Sequence, residues 1–396
     1  MKPSCAVFAP GRVNLIGEHT DTSGGLVLPV AIAFGVTVRA GEAARIRLSS
    51  LALPGETALE LDGRARSPLP GWGRYVAAVV ELLARRGRPA VGLEGTIEST
   101  VPLGAGLSSS AALTVSVALA LCRVADFELP PLELAGIARD AELAADGVPC
   151  GLMDPAASLL ARRGHALLLD CGTEHWRAVR LPPGLGIVVL DSGVRHSLEH
   201  SGYAARRAEL ERGLQALSGR RPSDLSLAEA LAAASAGRID EVAVRRLRHV
   251  VSENERVRQL VRALEAPVTD RARIGEIMLA GHASLRDDYE VSTPELDQLV
   301  EIAYAHGAIG ARLTGGGFGG SVVALAELSH AEAFAASVEA AYRARTGRQS
   351  AAYVCATSDG AGDLEAPAER GSRARAAGGS PRPLPDRFRS PNEPLP

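Results

Sequence analysis

The segment GAGLSSS, at residues 104–110, constrains this chain more strongly than any other, because all but one of its side chains are small. Small side chains cannot build a core or act in acid–base chemistry, but the backbone N–H groups between them can approach an anion closely. Strand-like sequence precedes the segment at 91–100, and the residues that follow predict a helix over 109–125, which serines at its start can cap. We therefore predict a strand, an anion-binding loop and a helix. The alternative is an ordinary tight turn with a serine N-cap.

Lysine is almost absent, since Lys2 is the only one in the chain. A Walker P-loop, a protein kinase and a Schiff-base enzyme each need a lysine in the active site. Lys2, close to the N-terminus, is not expected to serve any of these roles. A nucleotide on the glycine loop would therefore be bound by another architecture.

The composition is that of an ordinary globular protein, with 396 residues, 46% hydrophobic and 22% charged residues, and a net charge of −3. No basic stripe indicates nucleic-acid binding. The five cysteines are scattered and form no CxxC pair, which argues against a disulfide framework or a zinc site and fits a reducing cytoplasm. No stretch reaches the ~18 apolar residues of a membrane span, so we expect no membrane association.

The length suggests two or three domains, and the sequence shows no internal repeat at a fixed period. Strands are expected as two short pieces around a Pro-Gly turn in 5–16, and at 26–40, 91–100, 185–191, 322–326 and 351–356. Helices are expected at 109–125, 131–146, 204–217, 226–236, 253–264 and 330–345. From about residue 363 onward, a composition of Pro, Gly, Ser and Arg predicts a disordered tail.

Two further motifs carry chemically active or unusually small residues. APGRVNLIGEHTD, at 9–21, crowds an arginine, a histidine and two carboxylates at the end of a predicted strand; a structural salt-bridge cluster is the alternative reading. LTGGGFGGSVVAL, at 313–325, has five glycines in seven residues before a predicted strand, and a bulged turn is its alternative.

These motifs together resemble the GHMP kinases, a family of small-molecule phosphotransferases, and within them the galactokinases. The matching segments follow one another in order along the chain at 11–21, 101–111, 149–154, 195–207, 284–300 and 313–320. The resemblance implies a mixed α/β (α+β) two-domain kinase fold with the active site in the cleft between the domains. An N-terminal ATP-binding domain similar to ribosomal protein S5 domain 2 would span 1–182, a ferredoxin-like α+β domain 183–362, and the tail 363–396.

The resemblance also implies how ATP and Mg²⁺ are held. Backbone and hydroxyl groups of the glycine loop would bind the phosphates, namely those of Gly104, Gly106, Ser108, Ser109 and Ser110. Ser110 and Glu142 match the family's magnesium ligands, which suits a hard cation that prefers oxygen. Glu142 lies on the predicted helix 131–146, where a solvated surface glutamate is the alternative.

Asp154 matches the aspartate that the family places at the attacking hydroxyl, and Arg12 matches its partner. An arginine beside Asp154 would favour the negative charge of that carboxylate and stabilise charge on the transferring phosphoryl group. Asp154 would act as a base or only orient the hydroxyl, since positioning and electrostatics dominate phosphoryl transfer. Its alternative role is that of a helix N-cap before Pro155.

The family's sugar-binding positions are matched by Glu18, His19, Asp21 and Tyr203. Carboxylates there would accept hydrogen bonds from sugar hydroxyls and reject analogues without them. Two further positions near the nucleotide are matched by His196 and Ser197, for which a helix-entry cap is the alternative. The chain departs from the family pattern at Thr22 (usually tyrosine), Pro155 (usually glutamine) and Ser321 (usually cysteine).

The resemblance implies an ATP- and Mg²⁺-dependent galactokinase that makes α-D-galactose 1-phosphate, as a cytoplasmic monomer. A related sugar 1-kinase acting on arabinose, N-acetylgalactosamine or a uronic acid is the alternative within enzymes, because Thr22 lies next to the sugar motif. A catalytically silent sugar sensor is the alternative outside enzymes. The intact glycine loop disfavours the sensor.

Overall fold

The computed structural model describes residues 5–364 except 66, 103, 148–149 and 195–198. Its strands are β1 (Cys5–Asn14), β2 (Leu26–Val27), β3 (Pro29–Ala43), β4 (Ile46–Ser50), β5 (Glu56–Leu59), β6 (Gly92–Ser99), β7 (His165–Asp170), β8 (Trp176–Arg180), β9 (Leu185–Asp191), β10 (Gly310–Thr314), β11 (Ser321–Glu327), β12 (Ala351–Cys355) and β13 (Gly362–Asp363). Its α-helices are α1 (Gly73–Arg85), α2 (Ser109–Val124), α3 (Pro131–Asp146), α4 (Met153–Leu160), α5 (Glu199–Gln215), α6 (Leu227–Ala236), α7 (Glu241–Glu265), α8 (Arg271–Asp287), α9 (Pro294–Ala305) and α10 (Ala331–Thr346).

A six-stranded sheet in the order β13-β1-β3-β6-β4-β5 forms the first half of the fold. Its strands pair antiparallel, apart from the parallel pair β4 and β6. Helix α2 packs against β1 and β3 and is itself flanked by α1, α3 and α4. Because it is covered on all sides, α2 is apolar around its whole circumference, which explains the unbroken AALTVSVALA that follows the glycine loop.

A four-stranded antiparallel sheet in the order β10-β11-β9-β12 forms the second half. Helices α5 to α9 connect β9 to β10, and α10 connects β11 to β12, which is the ferredoxin-like β-α-β-β-α-β sequence. Val188 and Leu190 belong to one core on one side of this sheet, whereas Ile187 and Val189 belong to a second core on the other. Strand β9 is therefore buried on both faces, as its continuous apolar run predicts.

The second of these cores joins the two halves of the molecule, because it also contains residues of the first sheet such as Val13 and Ile32. A small sheet in the order β2-β7-β8 lies beside it. The fold class expected from the resemblance, a mixed GHMP kinase fold with an α+β second half, is confirmed. Among the described helices, none combines the length and the apolar character that crossing a bilayer requires.

Two local predictions need correction. The segment 5–16 forms one strand, β1, with a register shift between Pro10 and Arg12 instead of a turn between two strands. Helix α7 begins at Glu241 and not at 253, because Asp240 caps it by accepting a hydrogen bond of 2.8 Å from the Ala243 N–H. Two further predictions are only partly right: the strand sequence at 26–40 is divided into β2 and β3, and the helix predicted at 204–217 is α5, which begins earlier, at Glu199, and ends at Gln215. The other predicted strands and helices agree with observed ones to within two residues.

The end of the described chain returns to the first sheet. Asp363 pairs with Val7 of β1, and the Leu364 N–H donates to the Ala6 carbonyl at 2.8 Å. Residues 363 and 364, which their composition assigns to the tail, therefore belong to the sheet, and 365–396 lie outside the described residues. The domain boundary at residue 182 stays a prediction.

Candidate active site

Two adjoining cavities lie between the two sheets' loops. The larger, about 380 Å³, is lined by the glycine loop and by 314–320, and we call it the glycine-loop cavity. The smaller, about 220 Å³, we call the inner cavity; besides the shared residues it is lined by Glu18, His19, Asp21, Cys150, Gly151 and Met153. The residues that line both are Arg12, Asp154, Tyr203, Gly315 and Gly316.

Arg12 and Asp154 form a bidentate ion pair where the cavities meet. The Nε and Nη2 of Arg12 donate to the Oδ1 and Oδ2 of Asp154, each at 2.7 Å, and Nη1 donates to the Gly106 carbonyl at 2.9 Å. The Ser108 hydroxyl also donates to Oδ2. The guanidinium is 7% exposed and the aspartate side chain 26% exposed, so the carboxylate is held in place but stays accessible.

Asp154 is not a helix N-cap, in contrast to its alternative role. Helix α4 begins at Met153, the capping position is Leu152, and no side chain caps the helix. Asp154 therefore stands in the first turn with its carboxylate committed to Arg12 and Ser108. The following Pro155 is tolerated because N–H groups of the first turn have no partner within a helix.

The glycine loop also differs from a simple serine-capped turn. Ser108, at the capping position of α2, has a left-handed φ of 57°, and its side chain makes no capping hydrogen bond. Non-glycine residues rarely adopt this conformation, which is concentrated at functional sites. The five residues expected to bind phosphate all line the glycine-loop cavity, in front of the positive end of α2: Gly104, Gly106, Ser108, Ser109 and Ser110.

Glu142 is not the solvated surface residue of its alternative interpretation. Its Oε1 is buried and finds no hydrogen-bond partner within the described part of the chain. Burial raises the pKa of Glu142 to about 8, a hydrogen bond from Ser110 opposes this rise, and the charge of Asp154 adds to it. A buried carboxylate with one free oxygen, beside a serine hydroxyl, has the donors that Mg²⁺ prefers, so these residues fit the implied metal.

Asp21 closes one side of the inner cavity. Burial, followed by the negative charge of Asp154, raises the pKa of Asp21 to about 6. Its Oδ1 accepts a hydrogen bond of 2.9 Å from the Thr22 N–H. A Cβ at position 151 would lie 2.1 Å from Oδ2, so only glycine fits beside this carboxylate. This contact explains the glycine in the PCGLMD motif.

His19 contributes a neutral imidazole to the inner cavity. Its ring lies 4.4 Å from the Tyr289 ring and 5.5 Å from the Tyr203 ring, and its Nε2 has no hydrogen-bond partner among the residues that the structure describes. Burial lowers the pKa of His19 to about 3, so the ring carries no charge at neutral pH. The backbone of His19 has a left-handed φ of 62°, which places a second strained non-glycine residue in the site.

Glu18 is held from behind by two residues that the sequence does not identify. Its Oε2 accepts a hydrogen bond of 2.6 Å from Nη2 of Arg312, and the same nitrogen lies 2.7 Å from Oε1 of Glu253. The sequence signal that could have identified Arg312 is its position directly before the motif LTGGGFGG, which begins at residue 313. Nothing in the helical sequence around Glu253 distinguishes it from a surface glutamate.

The remaining sequence expectations have mixed outcomes. Thr22 does not line the inner cavity but a neighbouring one of about 310 Å³, which shares Asp21 with it. The Ser321 hydroxyl donates to the Ala105 carbonyl at 2.8 Å and so connects the segment LTGGGFGGSVVAL to the glycine loop. His196 and Ser197 lie outside the described residues.

Comparison with known proteins identifies the relatives of this chain. Family models match for the GHMP kinases N-terminal domain (74–162), the GHMP kinases C-terminal region (260–344) and the galactokinase galactose-binding signature (1–42). The chain is 43% identical over 366 residues to a galactokinase of Roseiflexus sp. (strain RS-1), covering 91% of this chain and 93% of the relative. It is 41% identical over 371 residues to a galactokinase of Chloroflexus aurantiacus, covering 90% and 93%. It is also similar to the crystal structure of Lactococcus lactis galactokinase complexed with galactose, at a TM-score of 0.84 and 33% identity, covering 91% of this chain and 95% of that one.

Proposed function

Because this chain belongs to the galactokinases of the GHMP kinase family, we propose that its two joined cavities bring ATP and galactose together at Arg12 and Asp154. The enzyme is an ATP-dependent sugar kinase that phosphorylates galactose to α-D-galactose 1-phosphate. The observation that carries the proposed site is the bidentate ion pair of Arg12 and Asp154, which borders both cavities. The glycine-loop cavity is suited to phosphates, and the inner cavity is suited to sugar hydroxyl groups.

The inner cavity has the groups that a sugar requires. Glu18 and Asp21 offer carboxylate oxygens to hydroxyl donors, and His19 offers an uncharged ring nitrogen without a partner. Tyr203 lines both cavities and would contact the sugar. Charged acceptors favour substrates with matching hydroxyls, because an analogue without them leaves a buried charge unpaired.

The glycine-loop cavity suits the phosphates of ATP. Ser109 and Ser110 stand at the positive end of helix α2, and Gly104 and Gly106 add backbone that can approach closely. Gly315 and Gly316 also line this cavity. This arrangement binds polyphosphate without a lysine, in agreement with the near absence of that residue.

Ser110 and Glu142 would hold Mg²⁺, which supplies positive charge against the phosphate oxygens. Without a cation, the raised pKa keeps the Glu142 carboxyl largely protonated at neutral pH. The free Oε1 and the neighbouring serine support this assignment.

Asp154 orients the sugar hydroxyl toward the phosphorus and accepts its proton. Arg12 fixes both carboxylate oxygens of Asp154 and, because it keeps its charge at any working pH, stabilises negative charge on the transferring phosphoryl group. Arg12 also binds the Gly106 carbonyl, so the same side chain connects the base to the glycine loop.

The test is ADP release measured with a panel of monosaccharides, in the presence and absence of Mg²⁺. We expect turnover with galactose that depends on Mg²⁺ and is faster than with arabinose, N-acetylgalactosamine or galacturonic acid. If turnover is faster with one of these sugars, that sugar, and not galactose, is the preferred substrate. Absence of turnover with all of them, in a chain that still binds galactose, would favour a sensor.

A further inference from the structure

Behind the inner cavity, Glu18 belongs to a buried network of charges whose other members, Arg312 and Glu253, have no role in the function described above. Glu18 is 1% exposed, and the side chains of Glu253 and Arg312 are not exposed at all. Nη2 of Arg312 serves both carboxylates, at 2.6 Å and 2.7 Å. One guanidinium thus connects a residue of the cavity wall to helix α7.

The partners of the two glutamates are unequal. Glu253 has donors besides Arg312, since Arg256 donates to its Oε2 at 2.7 Å and the Gly17 N–H to its Oε1 at 2.9 Å. Of the residues described, Arg312 donates a hydrogen bond to Oε2 of Glu18, whereas the buried Oε1 has no partner among them. The position of the Glu18 carboxylate therefore depends on Arg312, whereas that of Glu253 does not.

The guanidinium itself has little freedom to move. A Cβ at Gly281 of helix α8 would lie 2.2 Å from Nη1 of Arg312, so the helix backbone presses directly against it. Buried ion pairs contribute little net stability compared with well-packed apolar residues. A rigid, shared arginine behind a substrate-binding carboxylate is therefore better explained by positioning than by stability.

We propose that Arg312 and Glu253 are positioning residues for sugar recognition, which hold Oε2 of Glu18 so that its Oε1 accepts a hydrogen bond from a sugar hydroxyl. The inference rests on the proposed function, because the donor is taken to be galactose. Neither residue lines the glycine-loop cavity, so ATP binding should not depend on them.

The ionisation of Glu18 gives this proposal a specific signature. Burial raises the pKa of Glu18 to about 7, with Arg312 opposing the rise and Glu253 adding to it. The titratable and charged groups around Glu18 are Arg12 on β1, the adjacent His19 with Tyr289 behind it, His249, Glu253 and Arg256 on α7, and Arg312 on β10. Changing Arg312 or Glu253 should therefore move the pH dependence of sugar binding in opposite directions.

The first experiment compares Arg312→Lys with the wild-type enzyme. Lysine keeps a charge but cannot bridge two carboxylates as a planar fork does. We expect the Kd and KM for galactose to rise by about tenfold or more, with kcat and the KM for ATP within about threefold. The control is Arg246→Lys: Arg246 is also buried between two carboxylates, Glu209 and Glu290, but lines neither cavity. It should lower thermal stability without weakening galactose binding.

The second experiment measures galactose binding by calorimetry from about pH 5 to about pH 9, across the range in which Glu18 titrates. In Glu253→Gln the neighbouring negative charge is gone, so the pH below which binding weakens should fall by about one unit. In Arg312→Lys the pH below which binding weakens should rise, because Glu18 loses the guanidinium hydrogen bond that favours its charged form. Asp21 also titrates in this pH range, but its titration should be the same in all variants. Differences between the variants in the pH dependence of galactose binding therefore report on Glu18.

These measurements separate the two proposals. If the wild-type chain neither binds nor phosphorylates galactose, the proposed function fails. If it does both, and the two variants show unchanged galactose affinity or pH midpoints that shift together, the positioning role is wrong. Should Arg312→Lys be too unstable to assay, the expected downward shift in Glu253→Gln decides alone, because that variant retains the arginine and an amide oxygen for Gly17.

Discussion

Replacing Asp154 with asparagine tests the centre of the proposed mechanism. The substitution preserves the shape of the side chain but removes its negative charge and its ability to take a proton. One amide oxygen can still accept from Arg12, whereas the amide nitrogen would face the second guanidinium N–H, which now donates to Oδ1 or Oδ2 at 2.7 Å. The hydrogen bond from Ser108 is weakened in the same way.

The expected effects on rate and stability differ in size. Assistance by a general base contributes ~10²–10⁴ to rate, so kcat should fall at least about a hundredfold, or about 2.7 kcal/mol of transition-state free energy. The loss of one charge-assisted hydrogen bond at a site that is 26% exposed should cost about 1–3 kcal/mol of unfolding free energy. We therefore expect a folded enzyme with a Tm lowered by a few degrees and very little turnover.

The assay is ADP release under saturating galactose and Mg²⁺, together with ATP binding and the thermal unfolding curve. ATP affinity should change little, because Asp154 faces the sugar hydroxyl. Asp170→Asn is the matched control: Asp170 accepts from Nη1 of Arg221 at 2.9 Å and 3.1 Å, is 19% exposed, and lines neither cavity. It should lose stability by a similar amount and keep its kcat.

A double-mutant cycle with Arg12→Lys extends the test. The single arginine variant should also be slow, since an ammonium group cannot contact both carboxylate oxygens and the phosphoryl group. The double variant should lose far less than the product of the two single losses, because the two side chains act as one unit. Near-normal turnover in a folded Asp154→Asn enzyme would refute the catalytic assignment, and fully additive losses would refute the coupling.

Three further predictions concern the metal, the sugar pocket and the tail. Ser110→Ala and Glu142→Gln should each raise the Mg²⁺ concentration needed for half-maximal rate, the glutamate variant more; unchanged titrations would remove both residues from the metal site. Because burial raises the Glu142 pKa from its ordinary 4.5 to about 8, the folded chain binds this proton more tightly and metal-free stability falls as pH rises between these values. Glu142→Gln should therefore raise the metal-free Tm at pH 8 but not below pH 4.5, and a pH-independent difference would contradict this. Thr22→Tyr should leave the galactose KM within about twofold, since Thr22 faces the neighbouring cavity, and a larger change measured by steady-state kinetics would show that it shapes specificity. Deleting 365–396 should leave Tm and kcat unchanged, whereas deletion from 362 should lower Tm because it removes β13; a loss in the shorter deletion would show that the tail binds the folded part.

Much of the local structure follows from the sequence. Helix α3 is predicted at 131–146 and observed at Pro131–Asp146, because a proline at its start and Gly147 at its end delimit an amphipathic run. The bounds of α2, directly after the glycine loop, are also predicted to within one residue, because the signals for them lie within a few neighbouring residues. The family motifs also assign Arg12 and Asp154 to one site, although 142 residues separate them.

What the sequence could not determine is where polar side chains end up once distant segments pack. The serines at the start of α2 are predicted to cap it, but the fold brings Asp154 within reach of Ser108, and that hydroxyl is used there instead. By residue type Glu142 belongs on the surface, and only the packing of α3 against α2 leaves it half-buried, with Oε1 buried, beside Ser110.

The contact that we propose to position Glu18 joins two distant segments of the chain. Motifs and helix periodicity can be recognised in the sequence because backbone geometry, small residues and capping groups act over only a turn or two of the chain. They therefore indicate which residues belong to the two cavities. Arg312 and Glu18 are 294 residues apart, and their pairing exists only because the end of β10 meets the end of β1, where Thr314 hydrogen-bonds to the backbone of Asn14. Its strength comes from burial and from a shared donor, which are properties of the packed molecule and not of either segment alone.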